Sequence, residues 1–513
     1  VAALTGLNVV LLVVLLASAG VHAVGLASDA IAVIGSPLEL DYGEGIVWQQ
    51  AALIPGPRAY STDPGLPFIV FHYPPLFHLA TRWVAWLAGA DMLAAGRTVA
   101  SLSTFMVVPL LAWLALLATP PSRRWGFLPV VAIVACSLVF LVMAPVRSWG
   151  VVMRVDTLGL ALGFAGLVAA ALAQGRFWGT LAALLLCLGA VFTKQTMMTF
   201  GISVALLSIA RRPLPAAFAV LLAGGVGVAA VVILQVVTGG GFLANIVVAN
   251  INRVWLGNLL WVFRHQGATL IFYLVMAAAG LWLVLAVAGI GSGRSWSPWR
   301  LADAADWRRT LVLVQLGLSC LVLLTLFKIG SSTNVLLQLC GAGCLTVAVV
   351  AAALVGDIPG RLRRAPFLEP RPVTSSLLSI GLLTPMIWAV SLQPVSTWGP
   401  VLLPAWVAQD AELVRQIRNA RRPVGSENMV LLMQAGAGVM YEPAIVTELA
   451  YLGRWNEAPL VAMVRAHGFA FMMTSDGGST PTDRRTPAVN AAMLEAYPRV
   501  REVRPSLWVR EGP

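Results

Sequence analysis

The sequence predicts a polytopic α-helical membrane protein with about 11 transmembrane helices (roughly 10 to 13), interfacial helices in the first outer loop, and a small C-terminal soluble α/β domain. Three observations carry this. Of 513 residues, 59% are hydrophobic and 11% charged, where a soluble domain holds about 25% charged residues. The apolar residues come in runs of roughly 17 to 24 without strand-like alternation, as helical spans require and barrel strands do not. From about Pro394 the composition changes: this stretch holds 12 arginines against 11 acids, which is ordinary for a module in water. The expected domains are therefore 1–393 in the membrane and 394–513 outside it.

The first apolar run, 5–27, lacks a charged leading region and a small-residue cleavage site, so it is expected as a retained span and not as a removed signal peptide. Past it, Asp41-Tyr42-Gly43-Glu44 sets two carboxylates three residues apart. They share one face if 40–49 is helical, although Gly43 and Gly45 weaken such a helix. Residues 74–87 are apolar but short, and carry His78, Arg82 and two tryptophans. They read as a helix lying in the membrane interface, entered through Pro74 and Pro75. Spans follow at 97–118, 127–144, 152–173, 177–192, 196–210, 214–237, 268–291, 310–327, 334–355 and 374–392.

The positive-inside rule supports the interfacial reading. It gathers Arg123, Arg124, Arg176, Arg211, Arg212, Arg294, Arg300, Arg308, Arg309, Arg361, Arg363, Arg364 and Arg371 on the cytoplasmic side. The net charge of +12 is then mostly an orientation signal, and no nucleic-acid partner is needed. The five cysteines fall inside apolar runs without ligand spacing and read as small core residues. Beyond Pro394, Asn428–Met433 and Phe469–Thr474 look like short buried strands, Ala458–His467 like a helix and Leu507–Arg510 like a last strand.

Among 34 basic residues only Lys194 and Lys328 are lysines, and the topology puts both at outer ends of spans. Lys194 lies in the turn Phe192-Thr193-Lys194-Gln195-Thr196. Lys328 opens a run through Ser331, Ser332 and Thr333 to Asn334, whose ammonium, hydroxyls and backbone N–H groups suit phosphate or sugar hydroxyls, or form a plain polar hairpin. Asp156 follows Arg154 at the outer start of another span; it pairs with that arginine or ligates a divalent cation, Mg²⁺ or Mn²⁺, with Asp41 or Glu44. His72 and Tyr73, ahead of the proline pair, anchor the interface or reach a sugar ring. Arg253 and Arg264, in the outer loop 238–265, could clamp a phosphate. In the C-terminal domain Glu442 and Trp455 either serve the fold or touch a glycan.

These residues resemble, in pattern and order, the GT-C glycosyltransferases that use polyprenyl-phosphate sugars, of the protein-mannosyltransferase and aminoarabinose-transferase type. The resemblance rests on Asp41-Tyr42-Gly43-Glu44, Tyr73-Pro74-Pro75-Leu76, Arg154-Val155-Asp156, Thr193-Lys194-Gln195, the stretch from Lys328 to Asn334 and the outward C-terminal domain. It implies that Asp41, or Glu44, is the general base, that Asp156 can hold the divalent metal, and that basic groups take the donor phosphate. The aminoarabinose transferase has a basic residue before its proline pair, where this chain has Tyr73, so Lys194, Lys328, Arg253 or Arg264 would substitute. A lipid, glycan or protein acceptor would meet a polyprenyl-phosphate-linked sugar at the periplasmic face of a bacterial inner membrane. The rival readings are a secondary transporter or flippase, with acids and lysines lining a path through the bilayer, and a lipid-linked polysaccharide polymerase or ligase.

Overall fold

The computed structural model describes residues 2–120, 124–288, 303–356, 372–478 and 484–513. Helix α1 (Ala2–Ile34) has 33 residues; at 1.5 Å per residue it is about 50 Å long, more than a bilayer core needs. It runs past the expected end at residue 27 and carries Asp29 to the far end of the last span, where Ser396 Oγ and Thr397 N donate to it at 2.5 and 2.8 Å. α2 (Tyr42–Leu53) and α3 (Leu76–Ala88) follow. The exposed Leu79, Trp83, Trp86 and Leu87 of α3 recur at i, i+4, i+7 and i+8, a single apolar stripe suited to an interfacial helix.

The membrane helices are α4 (Met92–Ala118), α5 (Phe127–Leu138), the short α6 (Ala144–Trp149), α7 (Asp156–Ala173), α8 (Phe177–Val191), α9 (Met198–Arg211) and α10 (Pro213–Val237). After α11 (Gly241–Ile246) and α12 (Gly257–Arg264) come α13 (Thr269–Ala288), α14 (Ala304–Val322), α15 (Leu337–Gly356) and α16 (Pro372–Ser391). Every expected span has its helix. Among the described residues, eight are long and apolar enough to cross a membrane. The spans expected at 127–144, 177–192 and 196–210 are α5, α8 and α9, of 12, 15 and 14 residues. The last two are only about 21 to 23 Å long against a hydrocarbon core of about 30 Å. Their connecting turn, which carries Lys194, is therefore recessed and largely buried.

α15 is the central helix, with 334–352 buried throughout. Its glycines, alanines and cysteines let neighbours approach closely, which matters where lipid tails supply no hydrophobic drive between helices. Polar pairs add specificity: Thr199 Oγ1 donates to Gln338 Oε1 and Ser203 Oγ to Gln315 Oε1, both at 2.8 Å. At the end away from the first loop, Arg308 donates to the carbonyls of Ala171 and Leu117, and Arg124 to those of Leu117 and Thr119. These expected cytoplasmic arginines thus satisfy carbonyls at the C-terminal ends of α7 and α4. Arg123, Arg294, Arg300, Arg361, Arg363, Arg364 and Arg371 lie outside the described residues.

The C-terminal part comprises α17 (Pro404–Asn419), β1 (Gly425–Ser426), α18 (Met429–Gln434), α19 (Pro443–Tyr451), α20 (Ala458–Arg465), β2 (Phe471–Thr474), α21 (Pro487–Ala496), β3 (Arg499–Arg504) and β4 (Leu507–Glu511). The sheet order is β1-β2-β4-β3, with β1 parallel to β2 and the other pairs antiparallel. Val509 lies beside Met473 on one side and Arg501 on the other. The strand expected at 428–433 is instead the helix α18. Asn428 caps it by accepting from Leu431 N at 3.1 Å, and Met429 to Leu432 are all buried. A short run that is apolar on every side does not distinguish a strand from a buried helix.

Candidate active site

Asp41 is the N-cap of α2. Its Oδ1 accepts from Gly43 N at 2.9 Å and from Arg154 Nη1 at 3.0 Å, while Oδ2 accepts from no group among the described residues. The glycines that weaken the helix on paper have a packing reason. A Cβ on Gly43 would lie 1.3 Å from Arg154 Nη1, and one on Gly45 would lie 2.6 Å from Met429 Cβ of α18. Burial raises the Asp41 carboxyl above its ordinary value, partly opposed by Arg154 and reinforced by the charge of Glu44.

Glu44 points the other way, into the protein, and is fully buried. Arg97 grips it with two hydrogen bonds, Nε to Oε1 at 2.8 Å and Nη2 to Oε2 at 2.7 Å. Met153 N and Leu40 N complete its acceptor positions, each at 2.9 Å. Burial alone would raise this carboxyl, but Arg97 and the two amides hold it below the usual value. Glu44 therefore has no lone pair open to a substrate proton.

Asp156 opens α7, where negative charge suits a helix N-terminus. Its Oδ1 is ion-paired with Lys194 and accepts from Asn334 Nδ2 at 3.1 Å; its Oδ2 is buried without a partner among the described residues. Lys328 stands close enough to Lys194 to feel its charge. Burial, then Lys194, lowers its pKa to about 8, and its ammonium donates to Asn250 Oδ1 at 3.3 Å. His72 fixes the same region through its carbonyl, which accepts from Gln195 Nε2 and Asn250 Nδ2, each at 2.9 Å. Its ring is neutral, lowered to about 3 by burial and then by Lys328 and Arg154. Tyr73 accepts from Arg154 Nη2 at 3.3 Å.

The fold thus brings Asp41, His72, Tyr73, Asp156, Lys194, Lys328 and Asn334 together around Arg154. Two expected phosphate ligands are not part of this network: Arg253 adjoins Lys328 through the backbone, its carbonyl accepting from Ile329 N at 2.9 Å, but its side chain is committed to another partner. Arg253 spends its fork on Glu448 of α19, at 2.6 and 3.2 Å, with its guanidinium over the Tyr451 ring at 3.9 Å. Arg264 is exposed at the end of α12, outside this network. The expected divalent cation would have to compete with basic side chains for its carboxylates. Asp41, Glu44 and Asp156 are each neutralised by their own basic partner, Arg154, Arg97 and Lys194, whereas a hard dication needs several oxygens with charge to spare. Among the described residues no three His, Cys, Asp or Glu side chains converge as a ligand set.

One residue beside the site, Arg97, was not foreseen, and Glu442, expected to serve the fold or touch a glycan, is joined to the first loop. Arg97 is the one charged residue in the run 97–118, and a lone intramembrane charge is a signal in itself. Glu442 comes from the C-terminal part: it caps α19 and accepts from Tyr42 Oη at 2.5 Å. Around it the C-terminal part covers the first loop. Val430 N donates to Glu39 Oε2 at 3.0 Å, Arg484 stacks on Tyr42 at 4.1 Å, and Trp455 Nε1 donates to Pro64 O at 3.0 Å. No sequence pattern marks contacts between residues some 400 positions apart.

Neither a protein-family model nor a curated protein matches this chain. Solved structures do. It is similar to ArnT from Cupriavidus metallidurans in the apo state, at 12% identity and a TM-score of 0.51, over 92% of this chain and 94% of that one. The fold is that of ArnT. The ArnT structure bound to undecaprenyl phosphate gives 12% identity and 0.51 over 96% and 98% of the two chains. Both alignments take in nearly the whole of each chain. The archaeal oligosaccharyltransferase AglB from Archaeoglobus fulgidus gives 10% identity and a TM-score of 0.46 over 88% of this chain and 69% of that one.

Proposed function

We propose that this chain is an integral-membrane glycosyltransferase that moves a sugar from a polyprenyl-phosphate donor to a lipid, glycan or protein acceptor at the periplasmic face of a bacterial inner membrane. The observation that carries it is Asp41: one carboxylate oxygen is tied to Arg154 and Gly43, and the other accepts from no described protein group, in the same cluster as Lys194 and Lys328. In the reaction, Asp41 Oδ2 takes the proton of the acceptor hydroxyl as its oxygen attacks the anomeric carbon. The bond from that carbon to the phosphate oxygen breaks, and the electron pair leaves with the lipid phosphate. Lys328 and Lys194 stabilise the departing charge. One displacement inverts the anomeric centre. No step passes through a metal, and the undecaprenyl phosphate held in the ArnT structure is the class of leaving group this scheme needs. The arginines near the ends of α4, α7 and α9 support the orientation through the positive-inside rule.

The test is reconstitution of the purified chain in liposomes with a panel of labelled polyprenyl-phosphate sugars and candidate acceptors. Label should become covalently attached to an acceptor while free polyprenyl phosphate appears. Label that crosses the bilayer and forms no new bond would replace this reading with a flippase.

A further inference from the structure

Glu44 cannot receive a substrate proton, yet its carboxylate touches both loops that supply the reacting region. Its Oε2 accepts from Leu40 N and its Oε1 from Met153 N. Leu40 immediately precedes Asp41, and Met153 immediately precedes Arg154. Residues 35–41 and 150–155 are irregular backbone, so no helix or sheet ladder sets their separation. The carboxylate itself is immobilised from below. All five N–H groups of Arg97 are engaged: two on Glu44 and three on the carbonyls of Val33, Ser36 and Leu38, at 2.6 to 2.7 Å. A planar guanidinium gripping a planar carboxylate at two points leaves little rotation.

We propose that Glu44, clamped by Arg97 of α4, is a positioning residue that fixes the Asp41 carboxylate against Arg154 by holding the amides just ahead of both. This rests on the reading of Asp41 as the base. Misplacement by about 1 Å is enough to cost roughly 100-fold in rate, so the clamp has a measurable effect although it meets no substrate.

The experiment compares Asp41→Asn, Glu44→Gln, Glu44→Asp and the double variant Asp41→Asn/Glu44→Gln, using whichever donor of the panel turns over. Glu44→Gln should lower kcat by about 10- to 100-fold, with the donor KM changed by less than about threefold. It should also move the acid limb of the pH profile to lower pH, because the charge of Glu44 is one of the influences raising the Asp41 carboxyl. Glu44→Asp keeps the charge but is one methylene too short to reach both amides, so kcat falls and the limb stays. In the double variant Glu44→Gln should cost less than about twofold beyond Asp41→Asn alone. Equal costs in both backgrounds overturn the positioning role while leaving the base in place. Should Glu44→Gln fail to fold, wild-type kcat in Glu44→Asp overturns it. Full activity of Asp41→Asn instead overturns the base reading.

Discussion

Asp41 and Glu44 are three positions apart and have opposite fates. Asp41 is an N-cap with φ −141° and ψ 134°, extended and not helical, so the rule that places i and i+3 on one helical face does not reach it. Its partner at the third helical position turns back toward the loop, as the acid of a capping box does, but reaches the amide of Leu40. Asp41→Asn is expected to lower sugar transfer by about 10²- to 10⁴-fold while thermal unfolding stays unchanged; a wild-type rate would discard it as base. Because the base works ionised, the rate should rise with pH through the raised pKa of Asp41. Lys328 gives the opposite limb. Its ammonium is charged below about 8 and neutral above, so affinity for undecaprenyl phosphate should be fullest below that pH and fall as pH passes it. A bound phosphate stabilises the cation and moves this limb upward. Titrating binding from pH 6 to 10 in the wild type and in Lys328→Gln checks this, since the variant should bind more weakly and lose the limb.

Among the elements, the pair α2 and α18 decides how the C-terminal part meets the membrane part. Gly45 is the contact point, where a Cβ would meet Met429 Cβ at 2.6 Å and Val430 N at 2.9 Å. The second of these is backbone and cannot rotate aside. Gly45→Ala should therefore push α18 off α2, at a cost of about 1 to 3 kcal/mol typical of overpacking. Limited proteolysis beyond residue 394 reads this out, and an unchanged digestion pattern would show that the contact can relax. The membrane helices were legible from the sequence because twenty apolar residues in lipid have few conformations that satisfy the backbone. The helix α18 was not, since what makes 429–434 a helix is the Asn428 cap and burial on all sides, neither of which a short apolar run displays.

For the molecule as a whole, the charges come in pairs drawn from distant segments: Asp41 with Arg154, Glu44 with Arg97, Asp156 with Lys194. With each acid already balanced, transfer should persist within about twofold in EDTA, since no step needs a hard dication. A loss of turnover restored by Mg²⁺ or Mn²⁺ would return Asp156 to the list of ligands.

The sequence by itself determined the membrane class, the order of the helices and the short list of polar residues worth attention. Charge is so costly in lipid that each Asp41, Asp156, Lys194 or Lys328 near a span stands out against the apolar background. Only the tertiary structure decided which of them share a site and which are bound elsewhere. Arg253 and Lys328 look equally suited to phosphate in the sequence, yet a carboxylate, Glu448, takes the fork of one while the ammonium of the other donates to the neutral amide of Asn250. Likewise, Glu44 reads as a second base until Arg97 is seen to occupy it. Residue type and local spacing fix what a side chain can do, but its partners arrive from segments dozens to hundreds of positions away, and the partner settles whether a carboxylate is free to act or held in place.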